Sequence, residues 1–278
     1  MTTRSDLATA FRRLHHPGDG SILVLPNAWD ASSARVIEQA GARAIATTSA
    51  GVSWALGRPD GEGLTRAEMV EAVRRMAGSV RVPVTADVES GYGSGSPEDV
   101  AETVRAVVDA GAVGINLEDA PGREGAPLLR PEEHAVRIAA ARAAGGPALF
   151  INARVDVYLR QVGAESGRLD ETVRRARLYT EAGADGVFVP GVVEAGTISR
   201  LVKAIGAPLN IMASFGAPSV GELADLGVAR VSVGPAIARA AMATIRAAAR
   251  ELLDAGTYDA IAGGVPFAEA DSLFAAVR

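Results

Sequence analysis

The stretch VPVTADVESGYG, residues Val82–Gly93, places two acidic residues between an apolar run and a glycine-rich loop. Its first part, Val82–Val88, is short and rich in β-branched residues, as expected of a parallel strand that is covered on both faces. Asp87 and Glu89 lie at its end. Because residues two apart on a strand share a face, both carboxylates point to the same side. The stretch therefore predicts a buried strand that carries acidic groups to one edge of a parallel sheet.

Similar runs recur on either side of this stretch, each flanked by Gly or Pro and separated by helical patterns. The predicted strands are Ser21–Pro26, Ala44–Thr48, Val82–Val88, Gly114–Glu118, Ala148–Arg154, Gly186–Val189, Leu209–Ala213 and Arg230–Val233. Eight βα units without a long linker predict a single (β/α)₈ TIM barrel over residues 1–278, with a C-terminal extension at about 255–278. The alternative is an open doubly wound sheet. Its nucleotide-binding form needs a glycine-rich turn after the first strand, where this chain has Pro26–Asp30.

The composition narrows the possible functions. With 28 basic and 33 acidic residues, a net charge of −5 and no basic run, the chain is not expected to bind nucleic acid. It has no cysteine, which excludes disulfides, thiolate nucleophiles and cysteine-based zinc sites. Met1–Asp6 lacks an apolar signal core, and no apolar run of about 18 residues occurs. We therefore expect a soluble, cytoplasmic protein that does not enter a membrane.

Acidic residues follow several predicted strands, and in a barrel the carboxyl ends of the strands carry the active site. They are Asp60, Asp87, Glu89 and Glu118. Gathering carboxylates in a partly dry site is costly without a cation. Oxygen ligands suit Mg²⁺ or Mn²⁺, whereas zinc is disfavoured because these segments contain neither Cys nor His. The pattern therefore predicts a Mg²⁺ or Mn²⁺ site, although each acid alone could equally cap a helix or a loop.

Three further features are candidates for binding an anionic substrate near this site. Arg154 can grip a carboxylate with two parallel hydrogen bonds, unless it forms an internal salt bridge with the same acids. Ser49, Ala50 and Gly51 form a turn of small residues whose backbone N–H groups can hold an anion, although any tight turn favours small residues. Tyr92 places one phenol near the predicted metal, or is a packing residue.

The three histidines are predicted to be surface or packing residues.

Five segments carry a family resemblance. In order and spacing, residues 49–51, 57–62, 87–93, 116–119 and 152–156 resemble the isocitrate lyase/phosphoenolpyruvate mutase family, and the resemblance spans residues 20–235. It implies a (β/α)₈ barrel, Mg²⁺ and a small 2-oxo or 2-hydroxy carboxylic acid. It also implies a homo-oligomer, either a dimer whose protomers exchange their eighth helix or a tetramer of such dimers.

The resemblance also implies a role for each site residue. Asp87 would be the direct metal ligand, and three acids would hold metal-bound waters: Asp60, Glu89 and Glu118. The substrate carboxylate would be gripped by Arg154 and by the amides of Ser49, Ala50 and Gly51, with Asn210 lining the pocket. Arg154, Glu118 and Tyr92 are the predicted catalytic residues.

The loop after the fourth predicted strand departs from the family. Lyases of the family carry a Lys-Arg-Cys-Gly-His motif there, whereas this chain reads APGREGAP over Ala120–Pro127. Decarboxylation needs no protein acid at the leaving CO₂. We therefore predict C–C bond cleavage by a lyase or an oxaloacetate-type decarboxylase. One alternative is phosphonate P–C chemistry, with Arg58 and Arg123 as phosphoryl-binding candidates. Another is a binding protein for 2-oxo acids that has lost turnover.

Overall fold

The computed structural model describes residues 3–16, 21–121 and 127–275. Within these residues, nine strands form one parallel sheet surrounded by helices. The strands are β1 Leu23–Leu25, β2 Asn27–Ala28, β3 Ile45–Thr47, β4 Val84–Asp87, β5 Gly114–Glu118, β6 Phe150–Arg154, β7 Gly186–Val189, β8 Leu209–Met212 and β9 Arg230–Ser232. The helices are α1 Arg4–Leu14, α2 Ala31–Gln39, α3 Ser49–Ala55, α4 Arg66–Ser79, α5 Pro97–Asp109, α6 Pro131–Gly145, α7 Arg168–Glu181, α8 Ala195–Ala204, α9 Val220–Asp225, α10 Ala236–Asp254 and α11 Phe267–Ala275.

The sheet closes into a ring at Pro26. The strand order is β1-β9-β8-β7-β6-β5-β4-β3-β2, so the two end strands are consecutive segments of the chain. The order follows the sequence without a switch point, which confirms the (β/α)₈ barrel and excludes the open doubly wound sheet. The prediction of one continuous first strand, Ser21–Pro26, is wrong. Pro26 has no N–H to donate, and the strand resumes beyond it in β2, which ends at Ala28.

The helix ends follow the sequence signals. Thr65 caps α4 in a capping box with Glu68, and the Ser96 hydroxyl accepts a hydrogen bond from the Asp99 N–H at the start of α5. Four glycines between a helix and the next strand have the positive φ that ends a helix. They are Gly41, Gly111, Gly183 and Gly227.

One end of the barrel is closed by α1. Phe11 is completely buried and packs edge-on against Phe150, the first residue of β6, with 5.6 Å between ring centroids. His15 stacks on the same ring at 3.8 Å. Gly114 opens β5 here, and a Cβ on it would come within 2.8 Å of the Phe11 ring. The strands begin at this end of the barrel. Their carboxyl ends lie at the opposite end, which remains available for a site.

The C-terminal part turns away from the barrel. Within Ala236–Asp254, all of which the structure describes, Ala238 is the one buried residue. The extension then returns to α2, where the Arg35 Nε donates to the Leu273 carbonyl at 2.6 Å. Its apolar residues nevertheless stay exposed, namely Ile261, Val265, Phe267 and Phe274. Among the helices of the described segments, none is long and apolar enough to cross a membrane.

Candidate metal centre

Asp87 ends β4 at the open end of the barrel. Its backbone N–H donates to Thr47 Oγ1 at 2.8 Å, and its Oδ2 accepts a hydrogen bond from the Ser49 N–H at 3.2 Å. The other carboxylate oxygen, Oδ1, is buried and has no hydrogen-bond partner in the described part of the chain. Burying such an oxygen without a partner is costly. Asp87 Oδ1 is therefore the atom at which a cation would be most stabilising.

Three more acids surround Asp87, namely Asp60, Glu89 and Glu118. Burial is the largest cause that raises the pKa of each, and the charge of Asp87 raises it further. The rise brings the pKa of Glu89 to about 7. Because Asp87 influences all three, the structure brings the four acids predicted from the sequence to one end of the barrel.

The spacing of these acids bears on which metal they can hold. Over the described segments, no three histidine, aspartate or glutamate side chains converge closely enough to hold an ion together. Mg²⁺ suits this arrangement, because it keeps several waters and uses one or two carboxylates. A structural zinc site, with four protein ligands, does not. The roles predicted from the resemblance, with Asp87 as the direct ligand and Asp60, Glu89 and Glu118 holding metal-bound waters, stay a prediction.

Glu89 is fixed by a compact set of hydrogen bonds. Its Oε1 accepts from the buried Tyr92 hydroxyl at 2.8 Å, and its Oε2 accepts from the Glu62 N–H at 2.6 Å. The Glu62 side chain in turn accepts from the Ser90 hydroxyl and the Tyr92 N–H. Glu62, Glu89 and Tyr92 all have positive φ, an uncommon conformation for residues other than glycine. Tyr92 is thus a buried packing residue, and its hydroxyl also donates to Glu89, one of the predicted metal-centre acids.

The raised pKa of Glu89 predicts how stability depends on pH in the metal-free protein. Folding raises this pKa from 4.5 to about 7, so the stability it contributes is complete below 4.5 and is lost as pH rises through about 7. Glu89→Gln stays neutral. From about pH 6 to about pH 8.5, we expect the variant to gain about 1 kcal/mol of unfolding free energy relative to the unmodified protein, as measured by urea denaturation. Glu98→Gln, an exposed control, should give a constant difference, and a constant difference for Glu89→Gln would contradict the prediction.

Arg154 lies at the end of β6 between two acids. It forms an ion pair with Glu118, and its Nε and Nη2 donate to Asp156 Oδ1 and Oδ2 at 2.7 and 2.9 Å. Its guanidinium carbon lies 5.9 Å from the centre of the Phe188 ring. Burial alone would lower the pKa of Arg154. The negative charges of Glu118 and Asp156 have the larger effect and raise this pKa above its usual value. The internal salt bridge considered from the sequence is therefore present, and a contact with substrate stays a prediction.

Asp156 is held by groups that were assigned no role from the sequence. Its N–H donates to Asp119 Oδ1 at 2.9 Å, while Asp119 Oδ2 accepts from Arg175 and from the Tyr179 hydroxyl at 2.8 and 2.9 Å. Both acids are completely buried. Arg175 and Tyr179 lie four residues apart on α7, a spacing that places them on one helix face. A buried network thus holds Asp156, and Asp156 holds Arg154.

The small residues after β3 are helical. Ser49, Ala50 and Gly51 form the first turn of α3, so the expectation of a tight turn is wrong. Their N–H groups still lie at a helix start, where amides lack intrahelical partners, but the Ser49 N–H is bound to Asp87. A Cβ on Gly51 would lie 2.8 Å from the side chains of both Thr48 and Trp29, so close packing explains this glycine.

Asn210 lies deeper in the barrel than predicted for a residue that lines the pocket. It is 1% exposed, and its Oδ1 accepts from Asn152 Nδ2 at 3.1 Å. Its Nδ2 donates to the Ile211 carbonyl at 2.9 Å and to Ser232 Oγ at 3.2 Å. These contacts use its hydrogen-bonding groups within the barrel.

The remaining candidates are Arg58, Arg123 and the three histidines. Arg58 is exposed and close to Glu68, whereas Arg123 falls outside the described residues. His15 and His134 are buried packing residues, and His16 is exposed, as predicted.

Comparisons with known proteins show what the chain is similar to. A family model described as phosphoenolpyruvate phosphomutase matches residues 11–253. An uncharacterised protein of Mycobacterium tuberculosis is 36% identical over 260 residues, which cover 94% of each chain. An oxaloacetate decarboxylase of Ectopseudomonas mendocina is 34% identical over 190 residues, which cover 65% of this chain and 62% of that protein.

Solved structures are similar over nearly the whole chain. A protein of Burkholderia cenocepacia J2315, provisionally classed as a lyase/mutase, has a TM-score of 0.90 and 39% identity, covering 98% of this chain and 97% of its own. A phosphonopyruvate hydrolase solved with oxalate and Mg²⁺ has a TM-score of 0.83 and 27% identity, covering 96% and 94%.

Proposed function

Because the chain belongs to the phosphoenolpyruvate phosphomutase family, we propose that it is a Mg²⁺-dependent enzyme that cleaves a C–C bond in a small 2-oxo or 2-hydroxy carboxylic acid. The observation that carries this proposal is the unpartnered Oδ1 of Asp87 among three acids with raised pKa. When bound there, Mg²⁺ would supply a Lewis acid that offsets the negative charge of a pyruvate-type enolate.

The protein's own groups would bind and orient the acid. Arg154 offers a permanently charged guanidinium beside the centre, and Asp156 fixes its plane through two hydrogen bonds. To bind a substrate carboxylate, Arg154 would replace part of its contact with Glu118 by a contact with the substrate. Ala50 and Gly51 would add backbone N–H groups at the start of α3. Tyr92 holds Glu89 in place through its hydroxyl.

C–C cleavage fits this chain better than P–C chemistry. A phosphoryl group needs cationic partners of its own. Of the two candidates from the sequence, Arg58 is the one that the structure describes, and it is exposed and near Glu68. Decarboxylation makes the smaller demand, because CO₂ leaves without a protein proton donor. The relative named oxaloacetate decarboxylase supports the same choice.

The test is an assay of the purified protein with Mg²⁺ against oxaloacetate, methylisocitrate and substituted malates, with phosphonopyruvate in parallel. We expect turnover of at least one carboxylic acid, abolished by a chelator. Turnover of phosphonopyruvate alone would contradict the proposal and favour the phosphonate alternative. Mg²⁺-dependent binding of 2-oxo acids by calorimetry, with no product formed, would favour the binding protein.

We further propose that two copies of the chain associate through α10. This helix leaves Met242, Ile245 and Leu252 exposed. Beside β1 lies an apolar groove, lined in part by Val24 and Ile37, and Val24 itself is 40% exposed. A (β/α)₈ barrel surrounds its strands with helices. Since α10 of the same chain contributes only Ile237 to the lining of this groove, α10 of a second copy is the occupant that we propose.

Ile245→Glu tests this association. Ile245 is 68% exposed, so a charge there should cost the folded protomer little but should oppose burial in an interface. We expect light scattering coupled to size exclusion to give a dimer or tetramer for the unmodified protein, and a shift of more than about tenfold in its dissociation constant for the variant. Val136→Glu, at an exposed valine of α6, is the matched control. A monomeric unmodified protein would overturn the proposal.

A further inference from the structure

Arg230 is an arginine in the interior of the barrel. It opens β9, is 1% exposed and is among the largest fully buried side chains of the described residues. Its Nη2 donates to Asn116 Oδ1 at 3.1 Å. Its Nε and Nη1 are buried and have no hydrogen-bond partner in the described segments. A buried guanidinium normally contacts a carboxylate, so this one calls for a physical explanation.

The surroundings of Arg230 are polar but uncharged at contact distance. Within the parts of the chain that the structure describes, no ion pair joins it to an acid. Asn152 links Asn116 to Asn210, because its Nδ2 donates both to Asn116 Oδ1 at 2.9 Å and to Asn210 Oδ1 at 3.1 Å. The amides disperse the charge of Arg230 without neutralising it.

The metal-centre acids lie directly beyond this cluster. Asn116 is the register partner of Asp87 across β4 and β5. Burial lowers the pKa of Arg230 to about 9, and the charge of Asp87 opposes this shift, so the guanidinium remains protonated at neutral pH. Arg230 is therefore a buried positive charge that interacts with Asp87 from within the barrel, whereas Arg154 forms an ion pair with Glu118.

We propose that Arg230 is a positioning cation that offsets the carboxylates of the empty centre and lowers its affinity for the divalent ion. The inference rests on the proposed metal centre. Without a metal, Asp87, Glu89 and Glu118 repel one another in a desolvated site, and a cation within the barrel reduces that repulsion. Once an ion binds, the same cation repels it. Arg230 thereby stabilises the metal-free fold and weakens metal binding.

A metal titration of charge variants tests the inference. Mg²⁺, or Mn²⁺ as a second probe, is titrated calorimetrically at about pH 8 and low ionic strength. For Arg230→Met we expect binding about three- to tenfold tighter, because the variant lacks the screened repulsion between one unit charge and the divalent ion. Arg230→Lys keeps the charge and should return toward the affinity of the unmodified protein. Thr85→Val, a neutral change at another buried barrel residue, is the control.

The outcomes separate this inference from the proposed function. Loss of structure alone would weaken metal binding, so tighter binding by a folded Arg230→Met variant supports the inference. Unchanged or weaker binding, with the far-ultraviolet spectrum intact, overturns it. If Arg230→Met fails to fold, Arg230→Gln removes the same charge while keeping a donor for Asn116. If the unmodified protein binds neither Mg²⁺ nor Mn²⁺, the proposed metal centre fails, and this inference fails with it.

Discussion

Asp87→Asn should reduce the affinity for Mg²⁺ at least about 100-fold. Partners that contact only the ligands of a metal typically contribute 10- to 100-fold to affinity, and a direct ligand should contribute no less. The amide keeps the shape of Asp87 and can still accept the hydrogen bond from the Ser49 N–H at Oδ2. Its neutral group no longer supplies the charge that the buried Oδ1 presents to a cation. Calorimetric titration of the purified variant measures the loss directly, without a known substrate.

The control for this prediction is Asp225→Asn, which changes an exposed aspartate of α9 by the same atoms and should leave Mg²⁺ affinity unchanged. Asp87→Asn should also become more stable than the unmodified protein in the absence of metal, because one of four neighbouring carboxylates has lost its charge. An Asp87→Asn variant that binds Mg²⁺ as tightly as the unmodified protein would show that the ion is held elsewhere.

Arg154→Met should destabilise the folded protein by about 3–5 kcal/mol, the usual cost of leaving the partner of a buried ion pair without its opposite charge. Two buried acids lose their guanidinium at once. Glu118 loses its ion pair, and Asp156 loses two hydrogen bonds. Met has similar length, so the loss reports charge rather than volume. Urea unfolding near pH 8, where the acids are most ionised, should give the largest difference.

Two companion variants identify the cause. Glu118→Gln added to Arg154→Met should restore part of the stability, because one of the uncompensated acids becomes neutral. Arg177→Met removes an exposed partner of Glu181 and should cost less than about 1 kcal/mol. A similar small loss for Arg154→Met would mean that water already compensates Glu118 and Asp156.

The sequence predicted the fold well where the determinants are local. Gly114–Glu118 and Gly186–Val189 are strands over the predicted residues, and Thr65 and Ser96 cap the helices that follow them. These features depend on residues a few positions apart. The division of the first strand at Pro26 was missed because it depends on closure, which pairs one side with β9 and the other with β3.

The sequence was sufficient to predict which acids lie together at the site, because the carboxyl ends of the strands of a barrel lie at the same end. The details required the structure. Glu62 was not assigned a role, since its effect comes through a hydrogen bond from its N–H to Glu89, 27 residues along the chain. Arg154 was a candidate from the sequence, but the sequence could not choose between an internal salt bridge and a guanidinium free to bind substrate. Arg230 gave no signal, because an arginine at the first position of a strand usually lies at the surface.

The division of the first strand at Pro26 has a consequence during synthesis. Leu23 of β1 pairs with Arg230 of β9. The ribosome therefore makes β1 long before it makes the strand with which β1 pairs. At about 5–20 residues per second, that interval lasts roughly 10–40 seconds. Throughout it, the nascent chain presents β1 with an unpaired edge, which can recruit another strand. The ribosome-bound chain therefore has a long window in which a chaperone can protect this edge, and a slower ribosome lengthens it.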